Sequence, residues 1–252
     1  MDLGINDRIA LVTGASRNIG RAIAKALARE GARLILVSRS GESLGEVAAE
    51  LGGQPGRHLC VDLDMQLPDS AQRLKERLTG DFSNPEIIVH NLGGSLGVTD
   101  PFAPAEEWSR VWHFNVGIAH ELNRLFIPGM VSRKWGRIVH LSTLSTQTHD
   151  GYAPYVSAKC GLDGYVKSMS RVVSKNNVIM NALAPGLVGL EGRYFMRMQK
   201  ENPTQLERYF DNHLPIRRMG TPEELALIAI FLCSEHAAFM PGAIVRADGG
   251  GY

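Results

Sequence analysis

Tyr155 and Lys159 stand four residues apart, and Ser142 lies thirteen residues before the tyrosine. If this stretch is helical, the phenol and the ammonium share one face. A cation beside a phenol favours the phenolate and lowers its pKa. Such a tyrosine can exchange a proton with a substrate oxygen near neutral pH. A hydroxyl such as that of Ser142 can hold the same oxygen. Alone, Tyr-x-x-x-Lys is a string that many surface helices contain by chance. Its weight comes from a second motif near the start of the chain.

That motif is Thr13-Gly14-Ala15-Ser16-Arg17-Asn18-Ile19-Gly20. The apolar run Ile9-Ala10-Leu11-Val12 before it reads as a buried strand, and Arg21 to Glu30 after it reads as a helix. Strand, glycine turn and helix N-terminus form the arrangement in which backbone N–H groups hold a pyrophosphate. The glycine spacing departs from Gly-x-Gly-x-x-Gly, and a lone glycine turn is otherwise just a tight turn.

Taken together, the two motifs resemble the short-chain dehydrogenase/reductase family over nearly the whole chain. The family's Thr-Gly-x-x-x-Gly-x-Gly matches at Thr13, Gly14 and Gly20, with Asn18 at the middle glycine. Asparagine tolerates left-handed dihedrals, so the turn survives. His90-Asn91-Leu92-Gly93 stands where the family has Asn-Asn-Ala-Gly, so Asn91 and Gly93 match while His90 and Leu92 depart. Asn115, Ser142, Tyr155 and Lys159 match the catalytic positions in order, and the thirteen-residue spacing selects Ser142 over its neighbours Thr143 and Ser145. Pro185-Gly186 matches the turn beside the nicotinamide, Leu190 replaces a frequent threonine, and Asp248-Gly249-Gly250 matches the family's ending.

The resemblance implies a nicotinamide dinucleotide held by Gly14, Ser16, Arg17, Asn18, Ile19 and Gly20. It adds Ser38, Arg39, Asp62, Leu63, Asn91, Gly93, Tyr155, Lys159, Pro185, Gly186 and Val188, with the Asp62 carboxylate on the adenine amino group. It also implies that Lys159 holds the nicotinamide ribose, and that Asn115 holds a water linking Lys159 to solvent. Charge bears on which cofactor binds. NAD sites usually carry an acid near the end of the second strand. Here that strand ends Val37-Ser38-Arg39-Ser40, with no carboxylate before Glu42. Arg39 suits a 2′-phosphate instead, with Arg17 as a second partner or a plain solvated residue. The expected cofactor is NADP(H).

The positioning elements follow from the apolar pattern. Strands are expected at 8–13, 33–38, 57–61, 86–90, 137–141, 178–183 and 243–246. Helices are expected at 19–30, 41–51, 68–79, 104–132, 155–175 and 222–234. This alternation implies one α/β domain over residues 1–252: a Rossmann-type, doubly wound parallel sheet of about seven strands with helices on both faces. The stretch 187–220 breaks the rhythm and is expected to be a substrate lid, or else a plain surface excursion.

Composition agrees. The chain has 252 residues, 44% of them hydrophobic and 21% charged, which suits a single globular domain with a sizeable core. With 27 basic against 26 acidic residues, no strong field draws nucleic acid or an anionic membrane. The apolar run Leu225 to Cys233 is too short to span a bilayer, and Met1-Asp2-Leu3-Gly4 shows no signal pattern, so the cytoplasm is the expected compartment. Three scattered cysteines give neither a disulfide framework nor a zinc set, and the eight histidines form no helical pair, so no metal is expected. Arg193, Arg197 and Lys200 lie in the lid segment, as contacts for an anionic substrate or as a solvated face. Gly161 and Gly164 inside one helix suggest a close approach of another element, and the family commonly pairs this helix in a homotetramer, or a dimer.

The chemistry expected is hydride transfer between a ketone and a secondary alcohol. Within the family the chain looks most like the 3-oxoacyl-carrier-protein reductases, whose substrate rides on a carrier protein. A sugar or polyol dehydrogenase of the same fold is the alternative, and a dinucleotide-binding regulator or scaffold is the alternative of another class.

Overall fold

The computed structural model describes residues 2–53, 56–192 and 194–251. The apolar runs form seven parallel strands: β1 (Ile9–Thr13), β2 (Arg33–Ser38), β3 (Leu59–Asp62), β4 (Ile87–His90), β5 (Gly136–Leu141), β6 (Val178–Pro185) and β7 (Ile244–Ala247). Their order in the sheet is β3-β2-β1-β4-β5-β6-β7. The direction of winding reverses between β1 and β4. A crevice opens at such a switch point, outside the carboxyl ends of the strands.

The helices that cover the sheet are α1 (Asn18–Arg29), α2 (Gly41–Leu51), α3 (Ser70–Arg77), α4 (Ala105–Trp112), α5 (Ile118–Ser132), α6 (Ser145–Thr148), α7 (Ala153–Val173), α8 (Tyr194–Glu201), α9 (Pro203–His213) and α10 (Pro222–Leu232). One face packs α1, α2 and α10 against Ala10, Val12, Val139 and Leu141. The other packs α3, α5 and α7 against Leu11, Ile35, Ile88 and Ile138. Successive residues along β1 thus serve opposite cores, as expected of strands buried on both sides.

The helix expected over 104–132 is interrupted. A π-helical turn, His113–Gly117, separates α4 from α5 and carries Asn115. Such turns are common at functional sites. The segment 187–220 closes at its base, where Gly189 N–H donates to Gly220 O and Gly220 N–H to Leu187 O. Helices α8 and α9 stand between, with Met198 and Leu206 buried. Arg193 lies outside the described residues. Of the two interior glycines in α7, only Gly161 has a close neighbour: an added Cβ would lie 2.2 Å from Trp112, whereas nothing lies within 4 Å of one at Gly164. No helix among the described residues is long and apolar enough to cross a membrane.

Candidate active site

The crevice at the switch point is a cleft of about 810 Å³. Its floor begins with the glycine turn. Gly14 has φ +65°, and a Cβ at Gly20 would meet Gly14 O at 2.2 Å, so the turn folds this tightly only with glycine there. Asn18 takes the left-handed conformation, φ +49°, that its side chain permits. Asn91 ties this turn to β4: its Nδ2 donates to Thr13 O and Gly14 O, both at 3.1 Å. Helix α1 begins without a side-chain cap and without an acid in its first turn. Its opening N–H groups and positive end therefore suit an anion.

Most of the expected cofactor residues line the cleft. Gly14, Ser16, Arg17, Asn18 and Ile19 lie at one wall, and Ser38 and Arg39 at the end of β2. Leu63, Asn91, Gly93, Pro185, Tyr155 and Lys159 complete the set. Gly20 shapes the turn from behind, and Gly186 is packed on Asp248. Val188 instead lies at the base of the 187–220 segment, bridged to Gly220. Asp62 also departs from expectation. It is exposed, its carboxylate lies 3.4 Å from Arg77, and Leu63 and Asp64 line the cleft in its place. Asp62 is the last residue of β3, and Asp64 lies beyond it, where the chain has left the strand.

Sequence reasoning missed Ser40 and Ser43, which line the same cleft as Arg17 and Arg39. It also missed Ser95, Leu96, Gly97 and Phe114, which line the same cleft as Tyr155. A serine-rich stretch right after a strand's carboxyl end was the available signal for the first pair. Leu190, noted only as a departure, is a lining residue too.

Helix α7 brings Tyr155 and Lys159 together, with the Lys159 Nζ 6.0 Å from the centre of the Tyr155 ring. Lys159 is buried and donates to Leu141 O at 2.6 Å. Burial pushes its pKa down to about 8, while the Asp163 carboxylate one turn on pulls the other way. A Cβ at Gly93 would sit 2.7 Å from Nζ and 2.8 Å from Asn115 Oδ1. Asn115 is braced inside: its Nδ2 donates to Val111 O and Gly94 O, and its Oδ1 accepts from Gly94 N–H. The π turn thus anchors the 93–94 loop over the ammonium. Ser142 Oγ donates to Asp163 Oδ1 at 2.6 Å, and both residues are buried. Behind the site, His90 and His140 stack at 4.5 Å, and Asn123 bridges His90 to Tyr165. Burial pushes His90 down to about 4 and His140 well below the usual histidine range. Among the described residues, no group of three metal-ligating side chains gathers.

A switch-point cleft, an uncapped helix N-terminus at a glycine turn and a tyrosine–lysine pair define a nicotinamide-dinucleotide oxidoreductase. The chain belongs to the short-chain dehydrogenase/reductase family: the family model described as enoyl-(acyl carrier protein) reductase matches residues 14–251. Over 251 residues the chain is 31% identical to a 3-oxoacyl-(acyl-carrier-protein) reductase of Vibrio cholerae, covering 99% of each. The solved L-sorbose reductase of Gluconobacter frateurii, complexed with NADPH and L-sorbose, is 34% identical, with a TM-score of 0.90 over 99% of this chain and 98% of that one. A 3-oxoacyl (acyl-carrier-protein) reductase of Agrobacterium tumefaciens with NADP bound is 29% identical, with a TM-score of 0.90 over 99% of this chain and 96% of that one.

Proposed function

We propose that the chain is an NADP(H)-dependent reductase of a ketone to a secondary alcohol, working in both directions. The observation that carries this reading is the Tyr155–Lys159 pair at the cleft, with Lys159 buried against Leu141 O under Gly93. The cleft fits the cofactor in two respects. The uncapped start of α1 offers N–H groups to a pyrophosphate, and Arg17, Ser38, Arg39, Ser40 and Ser43 collect where a 2′-phosphate would lie. Bound there, NADPH supplies the hydride.

The chain's own residues do the rest. Lys159 keeps the Tyr155 proton mobile and would hold ribose hydroxyls. Tyr155 donates its proton to the carbonyl oxygen as charge develops there, and a hydroxyl of the 142–145 loop steadies the same oxygen. Asn115 holds the backbone of the 93–94 loop against the lysine. The segment 187–220 serves as the substrate lid.

The first substrate class is a 3-oxoacyl thioester, free or on a carrier protein, as the names of the 3-oxoacyl reductase relatives suggest. The second is a keto sugar, favoured by the 34% identity to the L-sorbose reductase. The reading includes a homotetramer or dimer, to which the open face at Gly164 and the exposed Val172 of α7 would contribute. The free thiols Cys60, Cys160 and Cys233 suit a reducing compartment, the cytoplasm. The test is twofold. NADPH should bind more tightly than NADH in a fluorescence titration. Tyr155→Phe should lose at least about 100-fold in turnover on a panel of acyl thioesters and keto sugars while still binding NADPH. Equal cofactor affinities would remove NADP(H) preference, and a fully active Y155F would remove the mechanism.

A further inference from the structure

We infer that Leu96 is a specificity-determining residue, which shapes the cleft for a ketone that carries an alkyl chain; the inference rests on the carbonyl-reductase reading above. Leu96 lies in the loop between β4 and α4 and lines the cleft. Val98 N–H donates to Ser95 O at 2.9 Å, which closes a tight turn with Leu96 and Gly97 at its central positions. Both take positive φ, +54° at Leu96 and +81° at Gly97. A turn of that kind favours asparagine or glycine at its first central position, and a bulky side chain there is strained. Gly97 N–H also donates to Ser95 Oγ at 3.3 Å, so the turn is fixed from within.

The leucine side chain has to offset that strain. Packing supplies part of the offset: Leu96 and Tyr155 both lie against the small cluster of Val98, Val111 and Ala158. Ala158 belongs to α7, as Tyr155 does, so the turn is seated on the helix that carries the phenol. Packing does not use the whole side chain, however, because Leu96 is only half-buried. Strained backbone persists where its surroundings hold it, and ligand clamps are one such place.

The neighbouring liners have the same character. Leu92, Phe114 and Leu141 line the cleft around Lys159. Leu141 O accepts from Nζ, Leu92 precedes Gly93, whose Cβ would sit 2.7 Å from Nζ, and Phe114 precedes Asn115. The polar side chains that line the cleft just after β4 and β5 are Asn91, Ser95 and Ser142. Asn91 is bonded to the glycine turn and Ser142 to Asp163. Among the described residues of 187–220, Leu190 is the one that lines the cleft, so that segment adds another apolar side chain. A keto sugar carries a hydroxyl on each remaining carbon, and every one enclosed without a partner weakens binding. An alkyl chain needs no partners and gains from contact with leucine and phenylalanine.

The experiment compares wild type with Leu96→Asn and Leu96→Ala on 2-hexanone, L-sorbose and a 3-oxohexanoyl thioester, all with NADPH. The first two are 2-ketones of equal chain length that differ in their hydroxyls. Wild type should favour 2-hexanone and the thioester over L-sorbose in kcat/KM. L96N suits the turn's backbone, so its melting temperature should equal or exceed that of wild type, with the NADPH dissociation constant unchanged. Its kcat/KM on the two alkyl ketones should fall roughly tenfold or more, mostly through KM, and the ratio to L-sorbose should narrow by the same factor. L96A, which keeps the strained backbone and removes the wall, should lose the same preference. If wild type favours L-sorbose, or if both variants keep the wild-type ratio, the assignment fails while the reductase reading stands. If L96N weakens NADPH binding instead, Leu96 belongs to the cofactor's part of the cleft and the assignment is overturned. A wild type inactive on every carbonyl tested sinks the reductase reading and this assignment with it.

Discussion

A buried lysine governs the site at the scale of single residues. Lys159 reaches Leu141 O because Gly93 leaves room: any side chain there would press on the ammonium at 2.7 Å. Taking the ammonium out of water costs free energy, and its pKa falls to about 8 despite the opposing pull of Asp163. The charged form is present below that pH and is lost above it. Both proposed jobs of Lys159, holding ribose hydroxyls and keeping Tyr155 acidic, need the charge. The kcat/KM for NADPH, which reports groups in the free enzyme, should therefore bend downward as pH rises through about 8. A rate profile that stays level up to about pH 10, near the ordinary lysine value, would show that the charge is not needed.

Elements were legible wherever their apolar pattern was strong, and less so where contacts made elsewhere decide. All seven strands were readable because runs such as Ile9–Val12 and Ile87–Val89 are buried on both faces, and their boundaries fall within two residues of expectation. Helix α6 was not, because Ser145-Thr146-Gln147-Thr148 has no apolar period, and the loop around it is held by hydroxyl contacts. The π turn at Asn115 escaped too, since the contacts its amide makes with Gly94 span 21 residues. The spacing of Tyr155 and Lys159 already implied a shared helix face, whereas the bond from Ser142 to Asp163 spans twenty-one residues and leaves no local signal. The same logic makes Asn18 more than a tolerated turn residue. Its Oδ1 accepts from Glu191 N–H at 3.2 Å and fastens the 187–220 segment, the proposed lid, to the glycine turn. Glycine suits the positive φ at this position but cannot make that bond. A single hydrogen bond contributes about 0.5–1.5 kcal/mol, so Asn18→Gly should release NADPH roughly two- to tenfold faster in stopped-flow displacement. Release at the wild-type rate would mean that the 187–220 segment does not depend on this fastening.

For the whole molecule, a core with helices on both sides of the sheet excludes water, and two histidines lie inside it. His90 and His140 stack on neighbouring strands, and Asn123 bonds His90 Nε2 at 2.9 Å. Burial lowers both, His90 to about 4. In the unfolded chain each would take up a proton near pH 6.5. Between that pH and about 4 the unfolded state therefore binds more protons than the folded one. The sign follows: stability is full above about pH 6.5 and is lost as pH falls toward 4. For His90 alone the shift from 6.5 to about 4 corresponds to about 3 kcal/mol. Carboxylates add their own acid dependence, so the informative quantity is a difference between variants. His90→Asn removes one such proton and keeps a polar partner for Asn123. Measured by urea unfolding, its stability should fall less steeply with acid than wild type, by up to about 1.4 kcal/mol per pH unit between roughly pH 4.5 and 6. Parallel slopes would mean that the stacked pair does not set the acid limit of the fold.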